Sequence, residues 1–237
     1  MKKTAFFIFL LLLANSTLFS QEIKTDISAG LSLARGNSES TRFYGKASFT
    51  IKKPDINFYF NSSYMYGKGK TGVDTNQGNF QIGSEKLIKG KLKLQSSVSF
   101  FYDRLSDIQG RLNFSMGLNY TVEENSDLLS IAASYSEEYE NYYTDPISKR
   151  TNRLAFQLKM KKALSDTTSF NLDTLYTPNI FNFLQDFRIE GEATLKILMK
   201  KPLWLNLTLN ERYNNLPSLV TLKKSDIILI TSIEIII

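Results

Sequence analysis

The segment Asp226–Ile237, DIILITSIEIII, alternates between two kinds of side chain along its whole length. Isoleucine or leucine fills every odd-numbered position except Thr231, whereas the even-numbered positions include Asp226 and Glu234. Successive side chains of a β-strand point to opposite faces of the sheet. The segment is therefore predicted to be a strand with one strongly apolar face and one more polar face.

The same alternation recurs through the rest of the chain. Residues 203–210, 111–120 and 153–160 each place a large apolar or aromatic side chain at every second position, between mainly polar residues. Followed to both ends, the pattern predicts twelve strands with no linker or domain boundary between them. Their expected positions are near residues 25–34, 40–51, 55–67, 75–88, 91–103, 108–121, 127–139, 149–162, 167–177, 184–198, 202–214 and 224–236.

The connections between these strands are of two kinds. Short, turn-like segments alternate with longer polar segments through most of the chain. The short ones lie at 52–55, 89–91, 123–126, 163–166 and 199–202, and the longer ones at 68–76, 140–148, 178–184 and 215–223, with short exceptions at 35–39 and 104–107. Outer-membrane barrels show this asymmetry, with short periplasmic turns and longer outer loops.

Two fold classes fit a chain of this pattern: an all-β, transmembrane, antiparallel up-and-down β-barrel of about 12 strands, and a soluble periplasmic β-sandwich acting as a binding module. Predicted strands of about 10–14 residues suit a tilted membrane strand, which needs about 9–11, better than a globular strand of about 5–6. The charged polar faces could enter a sandwich core only at a high cost in free energy. Aromatic residues also gather near strand ends, as in the girdles of membrane barrels. We therefore predict the barrel.

The N-terminus has the features of a secretory signal peptide. A lysine-containing start precedes an apolar run from Ala5 to Ala14, and cleavage is expected before Gln21. We assign residues 1–20 to the signal peptide and 21–237 to one barrel domain in the bacterial outer membrane. The chain has no cysteine, so no disulfide can hold the fold.

Three short motifs carry a family resemblance. They are GLSLARGNS at 30–38, FYDR at 101–104 followed by Arg111 and GLNY at 117–120, and Tyr213 to Pro217 followed by KSD at 224–226. In this order and spacing the chain resembles the YdiY-like family of proteins described as salt-induced outer-membrane proteins, domain-of-unknown-function family 481. The resemblance spans the mature chain and implies an outer-membrane barrel. It implies no catalytic residue and no ligand.

The composition argues against catalysis. The sequence has no histidine and no cysteine, which excludes Ser–His–Asp and Cys–His arrangements and the usual ligands of a zinc site. Glu190 and Glu192 could form an acid pair, but they lie two apart on one predicted strand and are interpreted as part of a charged wall. We predict a protein that is not an enzyme and has no cofactor or metal.

The expected partners follow from location and charge. A formal net charge of +6 is too small an excess to indicate nucleic-acid binding. The partners are therefore outer-membrane lipids, the outer-membrane assembly machinery and, if the lumen is open, small solutes.

The polar faces supply the residues most relevant to function. The charged lumen-facing candidates are Arg42, Lys46, Asp103, Arg111, Arg153, Arg188, Glu190, Glu192 and Arg212. Such rings can select permeating ions or solutes, or can pair across the lumen and fill it. A barrel of about eight strands is filled and one of roughly 16–18 is open, so twelve strands allow both. Two hypotheses stay open: a structural or envelope and osmotic-stress barrel, and a narrow pore for small solutes or ions.

One predicted turn is rich in charge. Asp103, Arg104, Asp107 and Arg111 flank the connection between the fifth and sixth strands. They are candidates for a small polar site at the outer rim, although a salt-bridged turn that fixes the register of two strands is the favoured interpretation. Residues 68–76 and 140–148 are candidates for contact with a surface partner, with an ordinary solvated loop as the favoured interpretation.

Overall fold

The computed structural model describes residues 22–34, 40–69, 72–124, 127–145, 148–218 and 223–236. Within them, twelve antiparallel strands close into one barrel, which confirms the predicted fold class. The strands are β1 (Glu22–Ala34), β2 (Ser40–Lys52), β3 (Ile56–Gly69), β4 (Gly72–Lys89), β5 (Leu92–Asp103), β6 (Ile108–Glu124), β7 (Asp127–Tyr142), β8 (Lys149–Ser165), β9 (Thr168–Pro178), β10 (Phe187–Lys200), β11 (Leu203–Asn214) and β12 (Ser225–Ile236). The predicted signal peptide, residues 1–20, lies outside the described residues.

The alternation of side chains sorts every strand into an apolar outside and a polar inside. Large apolar side chains on the outer surface stay open, with Phe43 51%, Met116 56% and Leu229 62% exposed. Among the described residues, four hydrophobic side chains are buried, against eighteen polar or charged ones. This distribution is the reverse of a soluble core, and it is typical of a barrel whose outer band faces lipid. No helix in the described part of the chain is long and apolar enough to cross a membrane.

The barrel closes where β1 meets β12. Their pairing extends from Asp26–Ile236 to Leu31–Thr231, a shorter ladder than the one between β1 and β2. Gly30 lies in this seam, where a Cβ atom would come within 2.5 Å of the Ser232 Cβ. Glycine is therefore the residue that lets the two strands approach closely enough to close the barrel.

The two ends of the barrel differ as predicted. Tight turns at 53–55, 90–91, 166–167 and 201–202 lie at one end. The opposite end carries the longer connections between β7 and β8, between β9 and β10 and between β11 and β12, together with the short connection predicted at 104–107. β1 begins and β12 ends on the side of the tight turns, since Glu22 pairs with Lys52 and Asp26 with Ile236.

The long loop predicted at 68–76 is wrong. β3 continues to Gly69 and β4 begins at Gly72. Within this segment the Asp74 carboxylate lies 3.3 Å from Nη2 of Arg42 on β2, two strands away from β4. The segment has the polarity of a solvated loop because its polar side chains serve the barrel interior, and this is why its composition misled the prediction.

Candidate functional site in the barrel lumen

Two cavities inside the barrel bring the candidate residues together. The inner cavity has a volume of about 730 Å³ and is lined by residues of all twelve strands. The outer cavity has about 410 Å³ and lies at the longer-loop end, where Leu105 and Ser218 contribute to its wall. Each charged candidate lines one or both cavities: Lys46, Arg111, Arg153, Arg188, Glu190, Glu192 and Arg212 the inner one, and Arg42 and Asp103 the outer one.

A layer of side chains separates the two cavities and contributes to the walls of both. We call this layer the septum, and its members are Gln77, Phe101, Arg111, Arg188, Glu190, Asn210 and Arg212. They come from β4, β5, β6, β10 and β11. Any solute that moved from one cavity to the other would have to pass them.

One side of the septum continues into a buried ionic network. We call it the arginine cluster, and it consists of Arg111, Arg153, Arg188, Glu138, Glu140 and Asp186. Arg188 donates to Glu138 at 2.6 Å, and Arg153 donates to Asp186 at 2.8 Å. None of the six side chains is more than 11% exposed. Three cations and three anions from β6, β7, β8, β10 and a loop thus neutralise one another.

The loop between β9 and β10 completes the cluster from outside the strands. Residues 182–186 form a tight turn, closed by a hydrogen bond from the Asp186 amide to the Asn182 carbonyl, so β10 begins at Phe187 and not at the predicted 184. The Asn179 side-chain amide donates to the Asp186 carboxylate at 3.0 Å. Burial acts to raise the pKa of Asp186, but the Asn179 hydrogen bond and the Arg153 charge outweigh it and hold that pKa below its usual range.

The other side of the septum is bridged by a single long side chain. Arg212 on β11 donates from Nη1 to the side-chain oxygen of Gln77 on β4 at 2.6 Å. Its guanidinium carbon also lies 5.0 Å from the ring centroid of Phe101 on β5. β11 and β5 lie on opposite sides of the closed barrel. Arg212, Gln77 and Phe101 therefore form a bar across the lumen, which we call the crossbar.

The crossbar lacks the charge compensation of the cluster. Among the described residues, no carboxylate oxygen lies within 4 Å of the Arg212 guanidinium, whereas the other lysines and arginines of the inner cavity each have one. Glu190 is the register partner of Arg212 on β10, and it too forms no ion pair within the described chain. An unpaired cation and an unpaired anion thus face the lumen side by side.

Further ion pairs connect separate strands in the wall of the inner cavity. Lys46 on β2 lies 3.2 Å from Glu192 on β10, and Lys196 on β10 lies 2.5 Å from Glu234 on β12. These contacts skip over intervening strands, so they tie distant parts of the wall. The inner cavity is consequently lined by opposite charges in balance.

The charged turn between β5 and β6 is held by hydrogen bonds and not by the expected ion pairs. No two of its four described candidates, Asp103, Arg104, Asp107 and Arg111, lie within salt-bridge distance. Asp103 accepts from the amides of residues 105 and 106. Asp107, at a φ of 64°, accepts from the Thr144 amide at 3.0 Å and so ties this turn to the next loop. Arg111 instead points into the arginine cluster.

Several residues of the site were missed from the sequence. Glu138 and Glu140 continue the inward face of β7, set by Ser134 and Ser136, but the strand was predicted to end at 139 and the pair Glu137–Glu138 obscured its face. Gln77 and Phe101 carry no charge, so no charge-based search would select them. Their role depends on which strands lie opposite Arg212, and this follows only from closure of the barrel.

Comparison with solved structures supports the fold. An outer membrane channel from Pseudomonas putida F1 is similar with a TM-score of 0.55 and 10% identity, covering 93% of this chain and 97% of that one. The NanC porin is similar with a TM-score of 0.51 and 10% identity, covering 90% and 98%. At such identity the likeness shows the outer-membrane barrel fold alone.

Within the described residues, no group of acidic side chains is arranged to hold a metal ion.

A comparison with protein families assigns the chain to one of them. A search of the curated proteins finds no match. The profile of the DUF481 family, proteins of unknown function, matches residues 27–235. This match spans nearly all of the barrel and confirms the resemblance inferred from the three sequence motifs. The chain therefore belongs to the DUF481 family.

Proposed function

We propose that the protein resides in the bacterial outer membrane and gives narrow passage to small hydrophilic solutes or ions, without catalysing a reaction. The observation that carries this proposal is the inner cavity of about 730 Å³. Polar side chains from every strand line it, and a lumen of balanced charge can hold water and small polar molecules.

The outer half of the lumen limits this passage. The arginine cluster occupies one side of the septum with side chains that are buried and paired. The crossbar spans the remaining gap through one hydrogen bond and one ring contact. Passage therefore requires movement of Arg212, and we expect brief, small conductance events and not a permanently open pore.

Planar-bilayer recording of the purified full chain tests the proposal. We expect discrete conductance steps in potassium chloride, absent when the same protein is boiled before addition. A second arm uses Arg212→Ala, which removes the crossbar. Silence from both proteins, each shown by its heat-dependent gel migration to be folded, would contradict passage.

The paired interior favours a second candidate, a closed barrel with a structural or envelope and osmotic-stress role. Its supporting observation is the arginine cluster, which fills the outer lumen on one side. If this role holds, a strain lacking the protein should become sensitive to detergent or to osmotic upshift. Wild type and the Arg212→Ala variant should then restore growth equally, because the role does not depend on the lumen.

Location is tested independently of conduction. The lipid-facing band of exposed apolar side chains predicts fractionation with outer-membrane lipids. It also predicts that the unboiled and the boiled protein migrate differently on a denaturing gel. A soluble periplasmic fraction with uniform migration would contradict the membrane location. Dependence on the outer-membrane assembly machinery is part of the same proposal, and depletion of that machinery should reduce the folded form.

A further inference from the structure

The crossbar leaves most of a guanidinium available to a ligand. Arg212 has five N–H donors, and its one hydrogen bond to a described residue goes to Gln77. Contact with Phe101 at 5.0 Å fixes one face of the group. The remaining donors border both cavities. Arg212 is thus a positioned cation whose charge no described carboxylate neutralises at close range.

The neighbours of Arg212 set the class of ligand that would fit. The Arg111 guanidinium carbon lies 5.3 Å from the centroid of the Phe101 ring, on the same aromatic side chain, but Arg111 is already paired with Glu140. Asn210 adds a neutral amide to both cavity walls. Glu190, the register partner of Arg212, supplies one nearby negative charge. Glu190 repels any anion, but it repels a group with one negative charge about half as strongly as a dianion, so a single charge suits the site better.

We propose that the septum contains a binding site for a small organic solute with one carboxylate, held by Arg212 in place of Gln77. A planar carboxylate can accept two parallel hydrogen bonds from a guanidinium, which an amide oxygen cannot match. Binding therefore breaks the bond that spans the lumen. The solute that occupies the site is also the one that opens the way between the two cavities. The binding site deepens the proposed function: the statement that the solute opens the way between the cavities rests on the proposed passage.

Glu190 acts as the internal competitor of such a solute. It lies opposite Arg212 on the adjacent strand, where facing side chains are about 5 Å apart at Cβ. In the absence of solute, Arg212 can fold back towards Glu190 or reach across to Gln77. Removing the Glu190 charge should therefore strengthen carboxylate binding, whereas removing the Arg212 charge should abolish it.

Calorimetric titration of the full-length protein in detergent tests the site without requiring conduction. Gluconate is the probe, and sorbitol, which has a similar size and no charge, is the matched control. We expect heat of binding for gluconate alone. Arg212→Gln should weaken binding by at least about tenfold, the equivalent of one charge-assisted hydrogen bond. Glu190→Gln should strengthen it by about threefold or more, by removal of a like charge.

Arg150→Gln provides the control for the loss of one arginine. Arg150 lies on the outside of β8 with its side chain 63% exposed, so this variant should bind gluconate as wild type does. Heat-dependent gel migration verifies that each variant is folded, and Arg212→Lys gives a second folded variant that keeps charge but loses the bidentate geometry and should bind with intermediate affinity. Equal heats for gluconate and sorbitol, or unchanged affinity in Arg212→Gln, would overturn the site.

The outcomes separate this site from the proposed passage. Gluconate binding that depends on Arg212, in a protein that gives no conductance, would retain the site and reject passage. Conductance that is insensitive to gluconate, in a protein that does not bind it, would retain passage and reject the site.

Discussion

The arginine cluster and the crossbar both place arginine side chains in the lumen, but they hold them in opposite ways. Within the cluster, Arg188 contacts Glu138 and Glu140, and Arg153 contacts Glu138 and Asp186, all of them buried. The crossbar depends on one arginine with one neutral acceptor. A buried charge with several partners resists removal, while a charge with one neutral partner can be exchanged. The same residue type therefore stabilises one side of the septum and leaves the other able to move.

The cluster should show the largest effect on stability. Arg153→Ala leaves Asp186 without its buried cationic partner, whereas Glu138 keeps Arg188, and loss of one partner of a buried ion pair costs about 3–5 kcal/mol. We expect the free energy of unfolding, measured by urea titration of the protein in detergent micelles, to fall by this amount.

The exposed outer surface supplies the control for that measurement. Arg150→Ala removes an arginine that also contacts a glutamate, Glu137, but on the outside of β8. Exposed pairs contribute about 0–1 kcal/mol, so the loss should be small. Equal losses in Arg150→Ala and Arg153→Ala would mean that burial does not distinguish the cluster.

The crossbar should show its effect in conductance and not in stability. Arg212→Ala removes the bond to Gln77 and the contact with Phe101. We expect the mean conductance in planar bilayers to rise by on the order of twofold, because the side chain that spans the lumen is gone. The free energy of unfolding should change by less than about 2 kcal/mol, the scale of one hydrogen bond to a charged group. A large loss of stability without a change in conductance would assign Arg212 to the scaffold.

How much of these two regions the sequence predicts depends on how far apart the interacting residues lie along the chain. Alternation over two residues predicted all twelve strands and the inward face that carries Arg188 and Arg212, because strand period is a local property. Pairing is not local. The partner of Arg188 lies three strands away on β7, and Gln77 lies almost opposite Arg212. Such contacts depend on how the barrel closes, and the alternation within a single strand does not contain that information.

Acidity should weaken the cluster in a defined range of pH. Asp186 has a pKa below its usual range, so its contribution to stability is complete above the unfolded-state value of about 3.9 and is lost as the pH falls through the lower folded-state pKa. Wild type should be more stable than Asp186→Asn at neutral pH. The difference should shrink only when the pH falls below about 3.9, as followed by unfolding at a series of pH values.

The neutral amide in Asp186→Asn also provides its own control. It keeps the size of the side chain and the loop turn to Asn182, so the variant isolates the charge. A difference between the two proteins that stayed constant down to the lowest pH would show that the carboxylate contributes through shape alone.

A final variant would give Arg212 of the crossbar a negatively charged partner. Gln77→Glu replaces the acceptor of Arg212 with a carboxylate of nearly the same shape, at a distance of 2.6 Å in the parent contact. A charge-assisted pair is stronger than a bond to a neutral amide, and we expect a gain of about 1 kcal/mol or less in stability because the lumen is partly hydrated. Conductance and gluconate binding should both fall, since the arginine now has a competing anion. If Gln77→Glu conducted and bound gluconate like wild type, the neutrality of the Arg212 partner would not be what makes the crossbar exchangeable.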